Sequence, residues 1–215
     1  MATNPLTVLL FHKPYDVLSQ FSAGLHPGRH RTLASFGPFP DDVYPVGRLD
    51  ADSEGLLLLT NSATLTHRLL TPLFRHPRTY IVQVERTPDG AALRRLTEGS
   101  LLLDGRRVLP ATAHLLDSDP GLPPRPKPVR VRKNIPTAWL ELTLHEGRNR
   151  QIRRMTAAVG HPTLRLVRTR IASLTLEGLE PGQWRTLPEK ESARFYEEVL
   201  NSSYGFPLTG GGSGG

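Results

Sequence analysis

Short strand-like runs are interleaved with capped helical stretches along this chain, and their order never settles into a strand–helix–strand period. Val8–Phe11, Tyr80–Glu85, Trp139–Leu144 and Ile171–Leu176 are short, rich in β-branched, aromatic or leucine residues, and partly alternating. Between them lie three helical patterns. One runs from about Ser62 to Leu70. A second follows Thr87-Pro88, which reads as an N-cap with proline at the first helical position, and stops at Gly99. A third spans about Asn149 to Val159 and is closed by Gly160 and Pro162. A weaker helix starts at Pro188 and reaches about Leu200. Mixing of this kind favours an α+β fold with a mixed, mostly antiparallel central sheet flanked by helices.

With 215 residues, 38% of them hydrophobic, the chain can bury one substantial core or two small subdomains on one sheet. Its longest aliphatic run, Leu56 to Leu59, is far below the ~18 to 20 apolar residues of a membrane span. No signal-peptide pattern opens the sequence. The absence of cysteine removes disulfides and thiolate metal sites, so a cytoplasmic protein with no membrane association is expected. Residues 1–205 read as one catalytic unit, and 206–215 as a flexible Gly/Ser-rich tail. From Asp117 to Pro136 six prolines sit among basic residues, the pattern of a long surface loop.

The net charge of +7 is concentrated. Between Arg125 and Arg170 twelve Arg or Lys residues face only Glu141 and Glu146, a local excess of +10 that leaves −3 for the remainder. A localised positive field suits a polyanion, most commonly nucleic acid. Its centre is His145-Glu-Gly-Arg-Asn-Arg-Gln-Ile-Arg-Arg-Met. At about 100° per residue, Ile152, Met155 and Val159 share one helical face. Arg150, Arg153 and Arg154 take the flank and opposite side. Such a helix can bury its aliphatic stripe and present guanidinium forks, together with its positive N-terminal end, to phosphate.

A second segment carries carboxylates: Gly47-Arg-Leu-Asp-Ala-Asp-Ser-Glu-Gly-Leu. Asp50, Asp52, Glu54 and Gly55 mimic the first half of a calcium loop. The twelfth position is Asn61 where a bidentate glutamate is needed, and the following leucines suit a buried strand. Asp50 taken alone also fits an ordinary turn-forming aspartate. The eight histidines are scattered with no i, i+4 pair, so neither a metal nor a histidine acid–base role is expected.

Taken together these blocks resemble bacterial pseudouridine synthases of the RsuA branch. Gly47-Arg48-Leu49-Asp50 with Asp52-Ser53-Glu54-Gly55-Leu56-Leu57 is similar to the family's catalytic motif. Phe11-His-Lys-Pro, Thr79-Tyr-Ile-Val-Gln-Val, Glu146-Gly-Arg-Asn-Arg-Gln-Ile-Arg-Arg-Met and Gly160-His-Pro-Thr-Leu-Arg-Leu follow in the family's order, over roughly residues 8 to 187. The first core strand begins by about Val8 and leaves no room for the S4 RNA-binding domain that the branch usually carries. The chain thus looks most like the large-subunit enzymes without that domain.

The resemblance implies a pseudouridine synthase fold of two subdomains with the active-site cleft between them. It also implies a monomeric enzyme, needing no cofactor, that isomerises one uridine of large-subunit ribosomal RNA, free or in an assembly intermediate. It makes Asp50 the catalytic carboxylate, acting by attack at C1′ or as a base at C2′, Arg153 its cationic partner and Tyr80 the ring stacked on the target base. Leu164 would line the other side of the uracil pocket, and Arg48 would enter the RNA stack when the nucleotide is extruded. Arg148, Arg150 and Arg154 are expected to bind RNA. Lys13 is read as structural, with a phosphate contact as its substrate-binding role. Asp52 and Glu54 are weaker catalytic candidates, Glu54 being expected to orient Arg48 or the turn. Two other readings stay open: a non-catalytic rRNA-binding assembly factor of the same fold, and a uracil-removing glycosylase.

Overall fold

The structure is a computed structural model that describes residues 4–22, 28–129 and 132–202. Its first strand, β1 (Val8–Lys13), is buried along its whole length, and so is β3 (Glu54–Thr60), which follows the two-residue β2 (Tyr44–Pro45). These apolar runs show no alternation because both faces of the sheet are covered. The Ser62 side chain accepts from the Leu65 amide and starts α1 (Ala63–Leu70). Next come β4 (Arg78–Glu85) and α2 (Gly90–Thr97). Asp89, rather than Thr87, caps α2, its Oδ1 accepting from Ala92 N at 2.8 Å, so Pro88 precedes the helix instead of opening it.

A small hairpin, β5 (Leu102–Leu103) and β6 (Arg106–Arg107), precedes β7 (Thr112–Leu115) and β8 (Thr137–Leu144). The described residues between β7 and β8 form no helix or strand, as their prolines require. Then α3 (Gln151–Ala158) leads into β9 (Thr163–Ile171). The run Ile171–Leu176, expected to be one strand, is a corner. Ala172 turns in the left-handed region at φ 49° and β10 (Leu174–Thr175) folds back on β9. Neither Ala172 nor Ser173 is a residue that announces such a turn. The chain ends in β11 (Trp184–Thr186) and α4 (Glu189–Asn201). The tail at 206–215 lies outside the described residues, as do Arg130 and Val131 of the Pro-rich loop.

One sheet carries nine of these strands in the order β11-β1-β3-β9-β4-β8-β7, with β2 on β3 and β10 on β9. Every pairing is antiparallel except β3 with β9, so the mixed, mostly antiparallel α+β architecture is as expected. The parallel contact is short, Glu54 with Val167 and Gly55 with Arg168. Gly55 has φ 104°, and a Cβ there would sit 2.2 Å from the Arg168 carbonyl oxygen. Only glycine lets the strands approach this closely. One core packs α2 and α3 on the β4–β8 half, around Val82, Leu142, Ile152 and Met155. Another packs α1 and α4 on the β1–β3 half, around Leu10, Leu58, Leu65 and Phe195. A cavity opens between these two cores.

Candidate active site

A cavity of about 380 Å³ is walled by both halves of the sheet, with Val46, Leu69 and Ile171 from one core and Leu49, Tyr80, Leu166 from the other. That size is in the range that takes a small ligand. Asp50, Arg48, Arg148 and Arg150 also line it.

Asp50 stands on the turn before β3, where Ser53 N donates to Asp50 O at 3.0 Å. The turn is tied down by the loop after β1. Asp16 N donates to Ala51 O at 2.7 Å. The buried Ser19 hydroxyl accepts from Leu49 N at 3.0 Å and donates to Leu49 O at 2.9 Å. Leu49 itself is buried, so the backbone on either side of Asp50 has little freedom.

The helix α3 supplies the cations. Arg148 and Asn149 turn ahead of it, and Arg150 closes that turn in the left-handed region, φ 49° and ψ 33°, so helical structure begins at Gln151 and not at Asn149. From there Arg150 reaches across the cavity. Its Nη1 lies 3.4 Å from Asp50 Oδ2, and its two nitrogens donate to the Asp52 carboxylate at 3.2 and 3.0 Å. Arg153 Nη2 donates to the Asp52 carbonyl at 2.7 Å and lies 3.5 Å from Asp52 Oδ2. The ion pair to Asp50 therefore comes from Arg150, while Arg153 is anchored on Asp52. Burial alone would raise the Asp52 carboxyl, but the Arg150 hydrogen bond and the charges of Arg153 and Arg150 outweigh it and hold it below the usual carboxylate range. Asp52 is thus the hinge of the cluster.

Tyr80 is 9% exposed; its ring belongs to the β4 core and to the cavity wall at once. The leucine of β9 that lines the cavity is Leu166, and the half-buried Leu164 is not part of the lining. Arg48 is exposed at the rim. Arg148 is bound to Glu146 at 3.0 Å and to the Arg106 carbonyl at 3.0 Å, which fastens the β5–β6 hairpin to the site. Arg154 lies off the cavity and forms a fork–fork pair with Asp104, both contacts 2.8 Å.

Two expectations meet a different geometry. Lys13 is fully buried, and its ammonium donates to Val17 O at 2.7 Å and Pro14 O at 3.0 Å, which leaves it no surface for a phosphate. Glu54 does not orient Arg48. It makes a buried two-point pair with Arg165, 2.9 and 2.8 Å, and Arg165 extends to Pro123 O at 2.7 Å. The Pro-rich loop is thereby fastened to the Glu54–Arg165 pair, and Arg125 also covers the Tyr15 ring. Among the described residues no cluster of three or more His, Cys, Asp or Glu could hold a metal ion, and no helix is long and apolar enough to cross a membrane.

The chain is 56% identical over 178 residues to the ribosomal large subunit pseudouridine synthase E of Xanthomonas campestris pv. campestris, spanning 83% of this chain and 94% of that one. It is 51% identical over 180 residues to the protein of the same name from Vibrio parahaemolyticus, with 84% and 73% covered. A solved pseudouridylate synthase superposes with a TM-score of 0.71 at 26% identity, over 89% of this chain and 74% of the other. Residues 7–158 match the family described as RNA pseudouridylate synthase, and the chain belongs to that family.

Proposed function

We propose that this enzyme isomerises a uridine of large-subunit ribosomal RNA to pseudouridine, with Asp50 as the carboxylate that acts on the ribose. The observation that carries the reading is that Asp50 and Tyr80 line one cavity, with Ser19 clamping the backbone of the preceding Leu49 and Arg150 facing the carboxylate. The reaction breaks the bond from ribose C1′ to N1 of uracil, turns the base and joins C1′ to C5. N1 gains a proton and C5 loses one, so the product is an isomer and nothing is released.

Asp50 starts the sequence in ionised form, by attack at C1′ or by removing the C2′ proton. The Arg150 guanidinium, 3.4 Å from Asp50 Oδ2, positions that carboxylate over the cavity. Tyr80 offers a flat face to the uracil, and Leu166 closes the apolar side in the role expected of Leu164. Arg153 acts with Asp52, setting the height of the catalytic turn against α3. Arg48 enters the RNA stack as the nucleotide leaves it. The basic face of α3 and the Pro-rich loop hold the flanking RNA. The relatives named for large-subunit synthases support the choice of RNA, and the reading includes a cytoplasmic enzyme acting as a monomer without a cofactor.

Mapping pseudouridine in unmodified large-subunit rRNA after incubation with wild type and Asp50→Asn tests it. A single new pseudouridine made only by the wild type is expected. RNA binding without product from the wild type, on both naked RNA and ribosomal precursor particles, would favour an assembly factor; free uracil would mark a glycosylase.

A further inference from the structure

Five arginines line the cavity against two carboxylates. Arg150 faces Asp50 and Arg148 is bonded to Glu146. Arg48, Arg78 and Arg168 are left with no carboxylate at ion-pair distance among the described residues. Water can solvate Arg48, which is exposed. The other two are largely withdrawn from bulk water, at 9% and 4% exposure.

Their protein partners are few. Arg78 Nη2 donates to the Leu69 carbonyl and Arg168 Nε to the Leu56 carbonyl, the latter at 2.7 Å. Arg168 Nη2 is buried with no hydrogen-bond partner. Arg78 loses part of its proton affinity to burial, partly offset by Tyr80, and further to the charge of Arg168, so the two guanidinium groups repel each other. Buried cations without counter-charges are costly, and a vacant N–H adds to the cost. A fold that keeps both in the wall of an open cavity gains when an anion enters. Guanidinium forks match phosphate oxygens in particular.

We propose that Arg78 and Arg168 form a phosphate subsite in the floor of the cavity, which takes the phosphodiester beside the target uridine. The sheet register makes the geometry coherent. Tyr80 pairs with Arg168 across β4 and β9, and Arg78 lies two residues before Tyr80 on the same strand face. A base stacked on Tyr80 with its phosphate on the neighbouring arginines leaves the ribose between them, in the cavity that Asp50 also lines. The subsite rests on the reading of this cavity as the uridine pocket, yet the first arm of its test does not depend on turnover.

The first arm uses inorganic phosphate at fixed ionic strength, with chloride as control, and reads Tm. Phosphate is expected to raise Tm of wild type and of Arg150→Gln, and to have no such effect on Arg168→Gln or Arg78→Gln. The second arm uses unaltered protein and an rRNA fragment with a neutral methylphosphonate on either side of the mapped uridine. Loss of the charge-assisted bonds is expected to weaken binding about ten- to a hundredfold at one of the two linkages and not at a linkage three nucleotides away. Phosphate protection with undiminished binding of both altered RNAs would mean an adventitious ion only and overturn the proposal. Equal protection of Arg168→Gln and wild type, or no protection of wild type, overturns it as well. Should the arginine variants fail to fold, the methylphosphonate arm decides.

Discussion

The Ser19 hydroxyl bonds both backbone groups of Leu49, accepting from its N–H at 3.0 Å and donating to its carbonyl at 2.9 Å, thirty residues away along the chain. Leu49 immediately precedes Asp50, so this hydroxyl fixes the plane from which the carboxylate projects. Ser19→Ala leaves two buried backbone groups unpaired, at about 1–3 kcal/mol each. It is expected to lower stability in urea and to slow single-turnover isomerisation while RNA affinity stays near wild type. Ser19→Thr keeps the hydroxyl and is expected to recover most of the rate. A variant with full turnover and reduced stability would show that the clamp supports the fold alone.

Asp52 gives a pH signature. Its carboxyl is held below the usual range by Arg150 and Arg153, against the effect of burial. A depressed folded-state value means that this stabilisation is complete above the unfolded value near 3.9 and fades as pH falls through the folded one. The stability gap between wild type and Asp52→Asn is therefore expected to be constant at neutral pH and to close below about pH 4. Denaturant midpoints of the two proteins at a series of pH values measure this. A gap that persists at pH 2 would mean that Asp52 acts through something other than its charge.

Glu54 and Arg165 form a pair whose side chains are 3% and 10% exposed. Removing one member strands the other, a loss of about 3–5 kcal/mol, whereas replacing both by apolar residues of similar volume is far milder. Glu54→Leu and Arg165→Met singly are expected to be strongly destabilised, and the double variant less so than either. Arg165→Met also frees the Pro123 carbonyl, so faster proteolysis between Asp117 and Val129 is expected. If the double variant is worse than both singles, the pair is contributing net stability and the account fails.

Much of this fold is legible in the sequence because its signals are local. Ser62 caps a helix at the point its chemistry suggests, and Tyr80, Val82 and Val84 share the buried face that their alternation implies. What escapes is set by contacts between distant segments. Thr163–Ile171 carries three arginines and does not read as a central strand, yet Arg165 and Arg168 are buried because Glu54 and the Leu56 carbonyl receive them. Ser19 has no local signal at all, since its partner lies thirty residues on. The Asp50–Arg contact is legible as a pairing of the acidic turn with the arginine helix. Which arginine reaches depends on the left-handed turn at Arg150, which no glycine or asparagine at that position announces.

Lys13 should make the protein more stable in mild alkali. Burial pushes its ammonium down to about 7 despite the nearby Glu54, Asp52 and Asp50 carboxylates. Between about 7 and the ordinary lysine value near 10.4, the unfolded chain holds a proton that the folded chain does not. Stability therefore rises with pH across that window, and below it the folded state bears the full cost of the buried charge. Lys13→Met is expected to abolish that rise, whatever its absolute stability. Parallel urea titrations at pH 7 and pH 10 measure the slope, and equal slopes in the two proteins would show that Lys13 keeps its proton.

Arg150 separates the backbone demand of its position from the demand for its side chain. A residue with a Cβ in the left-handed region costs roughly 1–2 kcal/mol, and glycine avoids most of that. Arg150 sits there at φ 49°, with its guanidinium over Asp50 and Asp52. Both Arg150→Ala and Arg150→Gly remove the guanidinium, so both are expected to bind RNA more weakly and to share one kinetic defect. They should differ in stability, with Arg150→Gly above Arg150→Ala by about 1 kcal/mol because only the alanine keeps the strain. The wild type tolerates that strain because the turn aims the side chain at two carboxylates. If alanine proves as stable as glycine, the turn relaxes once the arginine is gone, and the ion pair rather than the Arg148–Arg150 backbone is what enforces it.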